Sequence, residues 1–319
     1  MQPAPSAMAP PAVLNLPRHR AVQFIVLLGL VSLLADMTYE GARSITGPYL
    51  AVLGASATVV GVVSGFGELL GYALRLVSGV LSDRTGRYWA ITIAGYAINL
   101  FAVPLLALAG SWEMAAVLII AERAGKAVRT PARDAMLSHA GSQTGLGWGF
   151  GLHEALDQIG AVLGPLIVSG VLYWRGDYEA GFAVLAIPAV LAMIVLLTAR
   201  AAFPRPRDFD LAPPAFKTTG FARSYWVYVA AVAFVAAGYA DFPLIAYHFG
   251  RTEMIGPAWI PVLYAVAMAS DAIAALMLGR LFDRIGVRTM VLATLVSALA
   301  VPLAFLGGAA AAVVAMVAW

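Results

Sequence analysis

Asp36, Glu40 and Arg43 stand at i, i+4 and i+7, a spacing that puts them on one face of a helix with Tyr39 beside them. Glu68 and Arg75 repeat the seven-residue step, Arg123 is a further isolated cation, His153 and Asp157 lie one turn apart, and Asp241 and Asp271 are single carboxylates. All of them interrupt long apolar runs. Charge is costly in hydrocarbon, so such groups face the protein interior or water, where they carry protons, form switchable ion pairs or hold a charged solute. Some are expected to neutralise one another, Glu40 with Arg43 and Glu68 with Arg75. A buried carboxylate left without a cation is the better proton carrier, because only protonation relieves its desolvation. Asp36 is the first candidate for that role, with Asp241 and Asp157 behind it. His153 and Asp157 suit proton transfer or an interhelical hydrogen bond better than a metal, which needs further ligands, and with no Cys in the chain no metal site and no cofactor are expected.

The elements that position these groups follow from composition. The 319 residues are 61% hydrophobic and 12% charged, with a mean hydropathy of +0.85, against roughly 45–50% apolar and about 25% charged in soluble domains. A multi-pass helical membrane protein is expected, with spans near 21–53, 57–82, 88–109, 113–138, 146–174, 179–200, 223–249, 256–282 and 289–307, each reaching the roughly 20 residues that cross a bilayer. The run 309–319 is too short to cross and reads as the start of a tenth helix in an incomplete chain. Residues 1–20, rich in Pro and Ala, lack a signal-peptide pattern and read as a cytoplasmic tail. Of the 20 Lys and Arg, Arg43, Arg75 and Arg123 are inside spans, and all the rest except Arg175 and Arg251 fall on the side of that tail. The positive-inside rule therefore makes the N-terminus cytoplasmic. Basic residues scattered between spans argue against a nucleic-acid partner.

A Pro-rich, charged stretch at 201–222 reads as a linker between a bundle at 21–200 and a partial bundle at 223–319. An internal repeat supports the division. Gly79-Val-Leu-Ser-Asp83-Arg84-Thr-Gly86-Arg87 recurs as Gly279-Arg-Leu-Phe-Asp283-Arg284-Ile-Gly286-Val287, each copy between the second and third spans of its half, and Ala35-Asp36 is echoed by Ala240-Asp241. Glycines allow a tight turn, and Asp83 with the arginines suits charge-assisted pairs that form in one conformation and break in another. Arg129, Arg133 and Asp134 are candidates to extend such a cytoplasmic gate toward Asp83 and Arg87, or to form a static network.

The duplicated Gly-x-x-x-Asp-Arg-x-Gly turn closely resembles the signature of the major facilitator superfamily, in both sequence and position. The first copy departs from it where Tyr88 follows Arg87 in place of a second basic residue. The resemblance runs from residue 21 onward and implies two pseudosymmetric six-helix bundles around a central cavity, the second incomplete here. Arg123 with Gly125 partly resembles a fourth-helix motif of proton-linked members. Gly151, Gly160, Gly164 and Pro165 resemble the fifth-helix motif of exporters, although Val168 and Ser169 replace its downstream glycines. Independently of the family, Gly160 and Gly164 share a face that admits a close neighbour, and Pro165 can bend the helix.

The expected function is a monomeric, proton-coupled exporter of a small organic molecule in the plasma (inner) membrane, in contact with lipid and working by alternating access. A proton-driven importer or an organic-anion exchanger, with Arg43, Arg75 and Arg123 as the anion site, is the alternative within that class. A non-transporting scaffold or a membrane-embedded enzyme is the alternative outside it. No nucleotide-binding loop or catalytic triad order is present in the sequence.

Overall fold

A computed structural model describes residues 18–144, 146–205 and 222–319. Most of the expected tail and linker, with Arg207 and Lys217, lies outside the described residues. The described residues form helices joined by short turns: α1 (Arg18–Val52), α2 (Ala57–Thr85), α3 (Tyr88–Leu105), α4 (Trp112–Thr144), α5 (Leu146–Arg175), α6 (Tyr178–Val184), α7 (Ala186–Ala202), α8 (Arg223–Ala237), α9 (Phe242–Arg251), α10 (Trp259–Ile285), α11 (Arg288–Ala298), α12 (Ala300–Leu306) and α13 (Ala309–Ala318). Among the described residues, eight segments are long and apolar enough to cross a membrane. The 33-residue α4 has the length, but its charges keep its hydropathy low. Three expected spans are broken: the sixth at Leu185, the seventh between Gly238 and Asp241, and the ninth at Leu299.

The two copies of the repeated turn have the same physical basis. Gly86 and Gly286 close α2 and α10 at positive φ, 64° and 63°, which glycine adopts without a Cβ penalty, although ψ differs (11° and −140°), and each donates its N–H at 2.8 Å to a carbonyl four residues back, that of Ser82 or Phe282.

In the first half, α1 is the central element, packed on α4, α5 and α7 and buried along most of its length. Phe24, Ile25, Leu28, Ile45, Tyr49 and Phe182 are among the buried side chains of this core. The Tyr49 hydroxyl is satisfied inside it by the carbonyls of Leu106 (2.8 Å) and Ala109 (2.9 Å). A smaller core in the second half gathers Phe242, Phe249, Ile260, Tyr264 and Met316.

Glycine sets how closely helices meet. A Cβ on Gly160 or Gly164 of α5 would lie 2.2 Å from the Leu33 carbonyl oxygen or 2.3 Å from that of Met37, so α5 and α1 cross backbone to backbone. Gly95 of α3 and Gly125 of α4 do the same for their pair. Gly151, expected to belong to the packing set, faces open space.

The halves meet at one end of the molecule. A Cβ on Gly47 would lie 1.9 Å from the Pro243 carbonyl oxygen, the Tyr247 hydroxyl donates to the Ala55 carbonyl at 3.3 Å, and Ser169 donates to the Ala258 carbonyl at 2.7 Å. Toward the end that carries Asp83 and Asp283, α8 buries none of its residues. The halves touch at the Gly47 end, and at the other the charged residues of both repeated turns, Asp83, Arg84, Asp283 and Arg284, are exposed.

Gly160→Ala is expected to cost about 1–3 kcal/mol by overpacking, whereas Gly151→Ala is neutral or stabilising by up to about 1 kcal/mol; thermal unfolding of purified protein in detergent distinguishes them. Gly47→Leu wedges the closed end. Raising the energy of the closed form by about 1–3 kcal/mol increases maleimide labelling of a Thr46→Cys reporter on the order of tenfold, and unchanged labelling would show that Gly47 does not hold that end shut.

Candidate functional site

The α1–α5 glycine crossing brings Asp36 beside the His153 turn. A Cβ on Gly160 would lie 3.0 Å from that of Asp36. Asp36 is 7% exposed, accepts a hydrogen bond from Tyr39 and makes no ion pair among the described residues. His153, 3% exposed, lies 3.1 Å by its Nε2 from Ser32 Oγ and 3.7 Å from Asp157 Oδ2. No group of three or more potential metal ligands occurs among the described residues.

One turn along α1, charges from several helices form a continuous network. Glu40 pairs with Arg43 at 3.7 Å, as expected, and also with Lys126 of α4 at 3.7 Å, and it accepts a hydrogen bond from Tyr264 of α10. Glu68 does not pair with Arg75. It bridges Arg43 (2.6 Å) and Arg123 instead. The physical reason is rise: seven residues place Arg75 two turns, about 10 Å, along α2, while Arg43 and Arg123 approach Glu68 from neighbouring helices. Arg123 also meets Glu122 at 3.3 Å and Asp241 at 3.9 Å. Asp241 is not mid-helix: it caps α9 after the Gly238 break, its Oδ1 accepting the Phe242 N–H at 2.9 Å. Its link to Arg123, with the Tyr264–Glu40 hydrogen bond, ties the two halves together electrostatically.

Beyond this network lies a polar cavity of about 340 Å³, lined from α1 by Asp36, Tyr39 and Glu40, from α2 by Arg75, from α4 by Lys126, Arg129 and Arg133, from α5 by Glu154, Asp157 and Gln158, and from α10 by Asp271. Lys126, Arg129 and Arg133, counted with the cytoplasmic loops in the sequence, are thus interior groups of α4. Lys126 Nζ sits 3.8 Å from the Tyr39 ring centroid, and Arg133 is held by Asp134 and Ser32, each at 2.9 Å. Sequence reasoning missed Lys126, Glu154 and Gln158 as lining residues. Glu154 stands about 100° from the His153 face, which conceals its access to a cavity on the flank of α5.

The residues of the repeated turns are kept apart. Asp83, Arg84, Arg87, Asp283 and Arg284 make no ion pair among the described residues, and Arg133 pairs with neighbouring Asp134 rather than with Asp83. Gly79 leaves its would-be Cβ at ordinary contact distance from Pro131, 3.6 Å, and Gly279 faces open space.

Relatives of this architecture are numerous. An uncharacterized protein of Mycobacterium tuberculosis (strain ATCC 25618 / H37Rv) is 44% identical over 310 residues, covering 95% of this chain and 76% of its own. An uncharacterized MFS-type transporter of Methanocaldococcus jannaschii is 32% identical over 174 residues, 54% of this chain and 43% of its own. Among solved structures, the nucleoside transporter NupG superposes with a TM-score of 0.71 at 16% identity, covering 92% of this chain and 78% of that one. A bacterial homolog of the human lysosomal transporter Spinster, inward-facing and unoccupied, superposes with a TM-score of 0.70 at 17% identity, covering 94% and 72%. The sequence model of the Major Facilitator Superfamily matches residues 28–319. A chain with these spans, this duplicated turn and this closed-at-one-end arrangement is an integral, multi-pass membrane transporter of small molecules, and it belongs to the major facilitator superfamily.

Proposed function

We propose that the chain is a proton-coupled exporter of a small organic molecule that alternates access by rocking two bundles, residues 21–200 and the bundle beginning at 223, about the polar cavity. The observation that carries this reading is a cavity lying between halves that touch at the Gly47 end, with the exposed repeated turns at the other end and the unpaired carboxylate of Asp36 in its wall. Protonation of Asp36 removes its charge beside Lys126 and Arg129, and a proton that changes the balance of forces across the interface shifts the conformational equilibrium. His153 and Asp157, a turn away across the α1–α5 crossing, are placed to pass that proton along. The Glu40–Arg43–Glu68–Arg123–Asp241 network is the spring of the movement, because its Arg123–Asp241 and Glu40–Tyr264 links cross between halves. Export is favoured by the resemblance of the Gly160, Gly164 and Pro165 segment to the fifth-helix motif of exporters. The commitment of Arg43 and Arg123 to Glu68 counts against those two arginines as a free anion site.

In this reading the protein is a monomer in the inner membrane, bathed by lipid, with the Asp83 and Asp283 turns facing the cytoplasm as the gate that closes when the Gly47 end opens. The gate then forms pairs among Asp83, Arg84, Arg87, Asp283 and Arg284 that are absent from the present conformation.

Proteoliposomes with an internal pH dye, screened with organic cations, anions and neutral compounds, are expected to show substrate-dependent proton movement. Asp36→Asn lowers that movement on the order of tenfold or more, the effect of about 1.4 kcal/mol, and substrate-driven flux that survives intact in the variant removes Asp36 from the coupling step. The chain has no Cys, which makes orientation directly readable. A membrane-impermeant maleimide is expected to label Ser56→Cys in intact cells and Thr85→Cys only after permeabilisation; the reverse pattern inverts the topology and the direction of transport.

A further inference from the structure

The charges around the central cavity are not mixed at random. Cations line it from α2 and α4; of the carboxylates that make no Lys or Arg ion pair among the described residues, Asp36 lines it from α1, and Glu154, Asp157 and Asp271 line it from α5 and α10. On the cationic side, Lys126 is committed to Glu40 and Arg133 to Asp134. Arg129 and Arg75 have no carboxylate partner among the described residues. Arg129 is 1% exposed, its Nη1 donates to the Tyr96 hydroxyl at 3.0 Å and its guanidinium lies 4.2 Å from the Tyr96 ring centroid, yet Nε and Nη2 find no acceptor. Arg75 stacks 5.2 Å from the Tyr72 centroid, and its Nε is likewise idle. A buried guanidinium with unused donors retains a large part of its desolvation cost, which an incoming anion offsets.

The opposite wall has the complementary shortage. Glu154 and Asp271 share one neutral partner, Gln158, whose Nε2 lies 3.4 Å from Glu154 Oε1 and 3.2 Å from Asp271 Oδ2. Neither makes an ion pair among the described residues. A cavity of about 340 Å³ falls at the lower end of the roughly 300–1,000 Å³ found for small-molecule sites.

We infer that the cavity takes a small zwitterionic molecule, its anionic group toward Arg75 and Arg129 and its cationic group toward Glu154 and Asp271. This deepens the transporter reading and rests on it. A solute with a single charge leaves one wall uncompensated, and a neutral apolar one desolvates both walls without return. Because Glu154 and Asp271 belong to different halves, a cation held between them bonds to both, so occupancy of the site bears directly on whether the halves stay together on that side.

The test is direct binding to the purified full chain in nanodiscs, read by thermal unfolding through its seven tryptophans. The probes are 6-aminohexanoate, dialanine and phosphorylcholine, with hexanoate and hexylamine as single-charge counterparts. At least one of the three doubly charged probes is expected to raise the unfolding temperature saturably, and hexanoate and hexylamine to bind at least about tenfold more weakly, the factor for one lost charged hydrogen bond. Arg75→Gln and Asp271→Asn, both at half-buried or exposed positions, are each expected to weaken zwitterion binding by a similar factor while leaving the unliganded melt unchanged. Arg129→Lys keeps the charge but not the planar donors and gives an intermediate loss. Equal binding of hexanoate or hexylamine, indifference of binding to both Arg75→Gln and Asp271→Asn, or no binding of any zwitterion overturns the inference. Failure here is separable from failure of the transporter reading, because proteoliposomes that move a singly charged or neutral compound refute the zwitterion and leave transport standing.

Discussion

A charge inside hydrocarbon must find a counter-charge, a hydrogen-bond partner or water, and the arrangement of this molecule follows from that constraint. α1 carries two carboxylates and an arginine through the middle of the first half, and α4 carries Glu122, Arg123, Lys126, Arg129 and Arg133. Neither helix is tolerable on a lipid-facing surface, so both lie inside, with α2, α3, α5 and α7 around them. Glu68 at the junction of Arg43 and Arg123, and Glu40 at that of Arg43 and Lys126, convert the burden into a fastening between helices. Such networks specify one arrangement more than they stabilise it, since desolvation offsets much of the Coulomb gain.

Glycine makes the fastening reachable. The α1–α5 crossing at Gly160 and Gly164 brings backbones together so that Asp36, His153 and Asp157 share one region, and Gly47 does the same across the two halves. Close backbone contact has little give, because a packed interface responds by separating rather than by stretching. An interface of this kind, joined at the Gly47 end, suits a molecule that exchanges two conformations about a fixed site. Among the described residues, the polar contacts between side chains that cross between halves, Arg123 with Asp241, Tyr264 with Glu40 and Gln158 with Asp271, lie near the cavity, whereas those to backbone carbonyls, from Tyr247 and Ser169, lie at the Gly47 end. Events in the cavity therefore bear on the interface without a relay through the rest of the fold.

Much of this was determined by the sequence alone. Span lengths and hydropathy are local properties, and they placed most of the membrane helices to within a few residues, α4 running on to Thr144, past the expected end at 138. The positive-φ turns at Gly86 and Gly286 and the close-packing face of Gly160 and Gly164 are equally local, since a missing Cβ has the same meaning wherever it stands. The intramembrane charges also announced themselves by type. Helical periodicity correctly joined Glu40 to Arg43, three residues apart on one face.

Tertiary structure alone decided which helix lies opposite which face. A periodicity states which residues share a side but not what that side meets, so Glu68 turned from Arg75 to Arg43 and Arg123, and Gly151 met open space while Gly160 met a backbone. The break before Asp241 has local causes, a helix-ending Gly238, an N-cap at Asp241 and an early Pro243, but the apolar run around them masked it. The meeting of the cations of α2 and α4 with the carboxylates of α1, α5 and α10 depends on those helices facing one space. Residues as distant in the chain as Arg75 and Asp271 share an environment only after the helices pack, and no local pattern encodes that proximity.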